Sequence, residues 1–244
     1  MSAYMLLPAG DTALVVEFGD RIDRRLNDLV LALAKRLHDA RIEGIVEILP
    51  TFRSLMVQYE PLLISPTQLG RKIGMLIDGL RTTNAASRQW RLPVCYDTQL
   101  APDLEDVAAR TNLSAAQVIE RHSAIAYHVY MLGFLPGQAY LGDLPAELAL
   151  PRRETPRMKI PAGSLAMATT MTCVFPLETP CGWHLIGRSP VRLWDNESGS
   201  MPLLAPGDKV TFAPISLREY ENLLARAADG QSAIAPIEAM EAAA

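Results

Sequence analysis

The segment 179–190, Thr-Pro-Cys-Gly-Trp-His-Leu-Ile-Gly-Arg-Ser-Pro, sets a thiol (Cys181), an indole (Trp183), an imidazole (His184) and a guanidinium (Arg188) within twelve residues. Attack by a Cys181 thiolate, with His184 or His122 as base, is one chemistry these side chains allow. Cysteine is also a common small core filler, and no spacing here sets a base beside the thiol. On a strand starting at Trp183, alternation puts Trp183, Leu185 and Gly187 on one face and His184, Ile186 and Arg188 on the other. His184 and Arg188 are therefore expected to line one surface. Upstream, 151–164 carries four cations, Arg152, Arg153, Arg157 and Lys159, in eight residues stiffened by prolines. The planar fork of arginine matches a carboxylate or phosphate with two parallel charge-assisted hydrogen bonds, so this patch fits an anionic ligand or an acidic partner. The competing reading is a solvated basic loop.

The run 133–142, Gly-Phe-Leu-Pro-Gly-Gln-Ala-Tyr-Leu-Gly, follows a predicted strand. Glycines there let backbone amides approach a ligand, which makes Gly133 and Gly137 candidate contacts. No Gly-Lys-Ser/Thr follows, so it is not a nucleotide-phosphate loop of the Walker type; an irregular connection is the alternative. His122 ends a helix just before this unit, where a histidine either shuttles protons or satisfies terminal carbonyls. His38 lies on the polar side of a helix, and His128 alternates with Tyr127 and Val129 as a core residue would. No histidines show the short spacing of a zinc site, and three cysteines without a Cys-x-x-Cys pair support neither a disulfide framework nor a thiolate metal site.

These groups need a scaffold, and the hydrophobic pattern supplies two. Strands are predicted at 4–8, 12–18, 44–49 and 54–59, with amphipathic helices over 23–40 and from Ser65-Pro66 onward, the latter in cap-then-proline order. That order makes a small α+β sandwich of the ferredoxin-like type over 1–85, with 82–87 as its exit linker. A strand at 90–96, helices at 103–110 and 114–122 and a strand at 127–132 open a second region. Short strands at 164–168, 172–175, 183–186, 191–194 and 209–212, broken by turn residues, predict a compact β-barrel over 88–228. A helix at 217–227 closes it, and 229–244, alanine-rich without an apolar stripe, is expected to be a mobile tail.

The helix pair within 103–122 has a superficial helix-turn-helix look, but its first helix opens with Asp103, Glu105 and Asp106. A formal net charge of -4, from 23 basic and 27 acidic residues, gives no long-range field for nucleic acid or anionic lipid. No apolar run reaches a membrane span and the first residues do not resemble a signal peptide, so no membrane association and a cytoplasmic location are expected.

Taken together, Gly133-Phe-x-Pro-Gly137, Tyr140-Leu-Gly142, Pro151-Arg152, Thr155-Pro-Arg157, Ile160-Pro-Ala-Gly-Ser164, Gly182-Trp183, Ile186-Gly-Arg-Ser-Pro190 and Pro206-Gly-Asp208 resemble the allophanate hydrolase subunit 1 family. The 5-oxoprolinase B subunits and the kinase inhibitor KipI belong to it. The opening 10–19 and segments near Cys95 and Asp103 match too, so the resemblance covers nearly the whole chain. It implies an N-terminal α+β domain followed by a cyclophilin-like β-barrel. It also implies two partners: the C subunit, of the allophanate hydrolase subunit 2 family, and the A subunit. The reaction implied is ATP-dependent opening of 5-oxo-L-proline to L-glutamate, with ATP bound by the complex rather than by this chain alone. On that reading His122 and Arg188 are the candidate catalytic groups. Arg152, Arg157, Lys159, Gly163, Ser164, Trp183, Gly133 and Gly137 would bind the lactam, amide or phosphate. No metal is expected. Alternatives are a KipI-like histidine-kinase inhibitor and a carboxyltransferase or allophanate-type subunit; the chain carries no Met-Lys-Met biotin-attachment pattern. It departs from the family pattern at Gln138-Ala139, where relatives carry an aromatic, at Cys173 and Cys181, where they carry glycine, and across 168–172.

Overall fold

The computed structural model describes residues 4–81, 87–195 and 201–228. The chain divides into two compact units, Met1–Ala85 and Ala86–Ala244. The expected linker at 82–87 falls almost wholly outside the described residues, and the expected tail at 229–244 falls entirely outside them.

The first unit runs β1 (Met5–Pro8), β2 (Ala13–Glu17), α1 (Arg24–Ala40), β3 (Ile45–Pro50), β4 (Ser54–Tyr59) and α2 (Pro66–Ile77). Its strands form an antiparallel sheet in the order β1-β2-β4-β3. Asp23 caps α1 by accepting from the Arg25 N–H. Ser65 and Gln68 close a capping box around Pro66 at the start of α2, which satisfies amides that a helix start otherwise leaves unpaired. Val30, Leu33 and Leu37 of α1 and Leu69 and Ile73 of α2 are buried against Leu14, Val16, Leu55 and Val57. Both helices therefore cover one face of the sheet. The one polar intruder, Asn27, donates its amide to the carbonyls of Thr51 and Phe52 and ties α1 to the β3–β4 turn.

The second unit runs β5 (Gln89–Cys95), α3 (Leu104–Thr111), α4 (Ala115–Ser123), β6 (Tyr127–Leu132), β7 (Ala139–Gly142), a 3-10 turn (Ala146–Leu148), β8 (Arg157–Ile160), β9 (Ser164–Ala168), β10 (Met171–Val174), β11 (Thr179–Cys181), β12 (His184–Arg188), β13 (Lys209–Ile215) and α5 (Leu217–Ala228). Seven strands close a barrel in the order β10-β7-β6-β13-β5-β12-β9, and β8 and β11 pair separately. Leu92, Val94, Val129, Leu141, Leu165, Met167, Val174, Ile186, Val210 and Phe212 fill its core.

Alternation along β9 sends Ala166 and Ala168 to the outside of the barrel, opposite Leu165 and Met167. They are nonetheless buried. Ala166 lies between Cys173 and Leu185 in the ladder, and these three share burial with Ile160, Phe175, Cys181 and Trp183. The barrel thus has a second, thin buried layer on its outer side, and the small side chains of β9 leave room for it. Strands β7, β8 and β11 were not expected from the sequence. The strand expected at 191–194 is absent: the Val191 N–H turns back to the Ser189 hydroxyl instead of entering a ladder. No helix among the described residues is long and apolar enough to cross a membrane.

Candidate functional site

The basic segment 151–159 is organised by one carboxylate. Asp103, at the start of α3, accepts from Arg153 (2.8 Å), from both terminal nitrogens of Arg157 (2.8 and 2.7 Å) and from the Leu185 N–H (2.7 Å). Its side chain is 4% exposed. Burial works to raise its pKa, but the Arg157 and Leu185 hydrogen bonds and the charges of both arginines outweigh burial and hold the carboxyl below its ordinary value. The same pairing raises Arg157. The expected ligand-binding cation Arg157 and its neighbour Arg153 are therefore engaged within the protein. Lys159 is ion-paired too, to Glu178 at 2.8 Å on the surface.

Arg152 differs. It forms no ion pair among the described residues, and its guanidinium carbon sits 6.0 Å from the centre of the Trp183 ring. The backbone on either side of it is fixed. The Pro151 carbonyl accepts from His184 Nε2 at 2.9 Å, which defines that nitrogen as the protonated one. The Arg153 N–H donates to the Gly182 carbonyl at 2.8 Å, and the Arg153 side chain ends on Asp103. Trp183 is held in turn by edge-on contacts with Tyr140 (6.2 Å) and Phe175 (6.5 Å), and its N–H points at the Cys181 sulfur. Burial chiefly, with Cys173 nearby, pushes the Tyr140 hydroxyl above its ordinary range, while Arg152 pulls the other way; the phenol stays neutral. A cation on an aromatic face beside a neutral hydroxyl is suited to hold an anionic group.

Gln138 lies two residues before Tyr140, on the same side by alternation. It is 1% exposed, and its Nε2 points at the Cys173 sulfur at 3.9 Å. Gln138 and Cys173 thus meet in space. Burial raises the Cys173 thiol well above its usual pKa and raises Cys181 as well, so neither side chain is an activated thiolate.

The remaining expected residues lie elsewhere. His122 is fully buried inside the barrel, stacked on Phe212 at 4.9 Å. Thr172 Oγ1 donates to the Ala166 carbonyl and so accepts from His122 Nε2–H at 3.0 Å, which leaves Nδ1 to accept from the Tyr96 hydroxyl at 2.9 Å. Desolvation lowers its pKa to about 3. This is the geometry of a neutral core residue, not of the acid–base group expected at a helix end. Arg188 sits at the far end of β12 from Trp183, roughly 15 Å along the strand, with its Nε on the Ala162 carbonyl. A register shift between Leu185 and Gly187 puts His184 opposite Met167 but Arg188 opposite Ser164. The bulge thereby sends the two to opposite faces, which overturns the expectation that they line one surface.

Gly163, in a turn, and Ser164, the first residue of β9, lie beside Arg188. Ser164 Oγ donates to the Pro161 carbonyl, and a Cβ on Gly163 (φ +81°) would meet the Ser189 carbonyl oxygen at 2.4 Å. On Gly137 (φ +74°) it would meet the Trp194 Cβ at 2.4 Å, and on Gly133 the Met131 methyl at 2.8 Å. At these three positions the close approach is to the protein itself. Asp103, Tyr140 and Gln138 were not among the expected site residues. The acid at the head of α3 was visible in the sequence, where it served to exclude nucleic acid and to support the family resemblance but was not read as a site residue. Among the described residues no group of three His, Cys, Asp or Glu side chains is placed to hold a metal ion.

A family model, the carboxyltransferase domain, subdomain C and D, matches residues 4–204. The 5-oxoprolinase B subunit of Bacillus subtilis is 36% identical over 228 residues, covering 89% of this chain and 95% of its own. That of Escherichia coli O157:H7 is 37% identical over 209 residues, covering 84% and 93%. The solved structure of K. lactis urea amidolyase matches with a TM-score of 0.77 over 94% of this chain and 16% of that one; at 19% identity it shows a shared fold. With a match across both structural units, the chain belongs to the carboxyltransferase-domain family, subdomains C and D, alongside the 5-oxoprolinase B subunits.

Proposed function

We propose that this chain is the B subunit of an ATP-dependent 5-oxoprolinase, working in the cytoplasm with A and C subunits to open 5-oxo-L-proline to L-glutamate. Its two units are then separate domains, 1–85 and 88–228. The first is a ferredoxin-like sandwich whose outer strand comes first in the chain instead of last, and the second is a cyclophilin-like barrel. A lactam is resonance-stabilised and recloses readily, so its hydrolysis needs an activating step, which ATP bound by the assembled complex supplies. This chain contributes one wall of the substrate site. The observation that carries this reading is Arg152: the cation of its segment without an ion pair among the described residues, held over Trp183 by pins on both neighbouring residues. Its partner is the carboxylate of 5-oxoproline, a fixed anion that must be positioned before the ring amide can react. Arg188, on the far end of β12, is the second cation available to a phosphate.

The test is reconstitution with the A and C proteins and an assay of ATP-dependent glutamate formation. Arg152→Ala is expected to lower kcat/KM by about 10- to 100-fold, the worth of a charge-assisted contact of about 1.5–3 kcal/mol, with no change in melting temperature. Arg152→Lys should recover only part of the loss, because it lacks the planar fork. A complete complex that turns over no 5-oxoproline would rule the assignment out.

A further inference from the structure

The Gln138 side chain is costly where it stands. It is 1% exposed, its Nε2 has a weak thiol acceptor at 3.9 Å, and its Oε1 has no hydrogen-bond partner among the described residues. A buried amide oxygen without a partner is a destabilising feature that native structures rarely carry without a use. Its side-chain neighbour Cys173, on β10, is buried, as are Cys181, Phe175 and Trp183 of the same outer layer. Tyr140, two residues along the same side, reaches both Trp183 and the charge of Arg152. The orphan oxygen therefore belongs to the same wall of the barrel as the Arg152–Trp183 pair.

We infer that Gln138 is the specificity-determining residue of this wall and that its Oε1 accepts a hydrogen bond from the ring N–H of a lactam. The inference rests on reading the Arg152 face as the substrate wall. An amide ligand is the chemical complement of such a group: it offers an N–H to an acceptor that has none, and its small apolar ring suits an aromatic and sulfur lining. A site built to pair with an N–H discriminates strongly against an analogue that lacks it, because the buried acceptor then stays unpaired. Arg152 would select the carboxylate end of the ligand and Gln138 the amide end.

Three measurements test this. The first uses the full wild-type chain, 15N-labelled, with the Gln138 side-chain NH2 resonances identified by their loss in Gln138→Met. Titration with 2-pyrrolidinone should move those resonances, and N-methyl-2-pyrrolidinone, which has no N–H, should not. The second compares melting temperatures. Gln138→Met keeps the shape and removes the orphan acceptor, so without ligand it should melt higher than wild type, by about 2–6 °C. In the reconstituted complex the same variant should bind 5-oxo-L-proline more weakly by tenfold or more. Equal responses to both lactams, or none to either, would overturn the inference, as would a variant that melts at or below the wild-type temperature because a fixed water serves Oε1. The fragment titration needs no turnover, so a complex inactive on 5-oxoproline would refute the functional reading while leaving this result standing.

Discussion

Removing the Asp103 carboxylate should unfasten the basic segment. In Asp103→Ala two guanidinium groups and the Leu185 N–H lose four hydrogen bonds at 2.7–2.8 Å. Deleting one side of a buried ion pair costs about 3–5 kcal/mol, because it strands the other side. Here the arginines are 28% and 27% exposed and regain part of their hydration, so the lower end, about 3 kcal/mol, is expected. For a chain of this length that lowers the melting temperature by about 6–12 °C, readable by circular dichroism. Asp103→Asn keeps the shape and some of the acceptors but not the charge, and should cost about half as much. Because the native carboxyl is held below its ordinary value, the unfolded chain binds the proton more readily. The stability it contributes is therefore complete above about pH 4 and is lost as pH falls through the native pKa. The difference between wild type and Asp103→Asn should accordingly close in acid. Turnover of the reconstituted complex should fall in Asp103→Ala as it does in Arg152→Ala, since Arg153 anchors the loop that presents Arg152. An Asp103→Ala variant within 0.5 kcal/mol of wild type, or one that keeps full turnover, would refute the clamp.

Two further outcomes follow from buried geometry. His122, at a pKa of about 3 when folded, takes up its proton on unfolding below its ordinary value of 6.5. Stability should then decline by about 1.4 kcal/mol per pH unit between roughly pH 6.5 and pH 3; urea denaturation across that range should show the slope in wild type and lose it in His122→Phe. At Gly163, alanine meets both a positive φ and the Ser189 carbonyl, while at Gly10 (φ +67°) nothing lies within 4 Å. Gly163→Ala should cost about 2–4 kcal/mol and Gly10→Ala only about 1–2 kcal/mol, and melting curves of equal height for the two would show that the tight approach at Gly163 carries no weight.

The helices of both units were legible because each leaves an apolar stripe, and α1, α2 and α4 also begin at a cap: Asp23, Ser65 and Ser114 all accept from the first turn of their helices. The β-hairpin pairs of the first unit were legible for the same reason, since one face of their sheet is covered. Strands β7, β8 and β11 were not. They are three or four residues long and one contains Pro180; β7 and β11 are largely buried, so no polar alternation marks them, and β8, Arg-Met-Lys-Ile, is too short for its alternation to stand out among the prolines around it. The site failed to be legible in a more specific way. Basic residues within 151–159 looked alike, and what distinguishes them is a carboxylate 50 and 54 positions away from Arg153 and Arg157. The faces of β12 were misread because a single bulge reverses the alternation. Gly187, whose Cβ would sit 2.9 Å from the Cys95 carbonyl, is the local mark of that close approach.

The clamp also explains how a chain of net charge -4 can present a positive site. One buried carboxylate holds two guanidinium groups, so the cluster keeps a surplus positive charge within the fold, a few residues from Arg152. That surplus is held by three guanidinium hydrogen bonds to Asp103, a preorganised charge of the kind that favours electrostatic stabilisation. A flexible patch of four cations would attract anions of any kind, and salt would screen it readily. The arrangement here leaves a single guanidinium to make contact and uses its neighbours to set the potential around it. On the proposed reading, Arg157 and Arg153 influence ligand binding through where they hold charge, and the residue they leave exposed, Arg152, reads the ligand's shape.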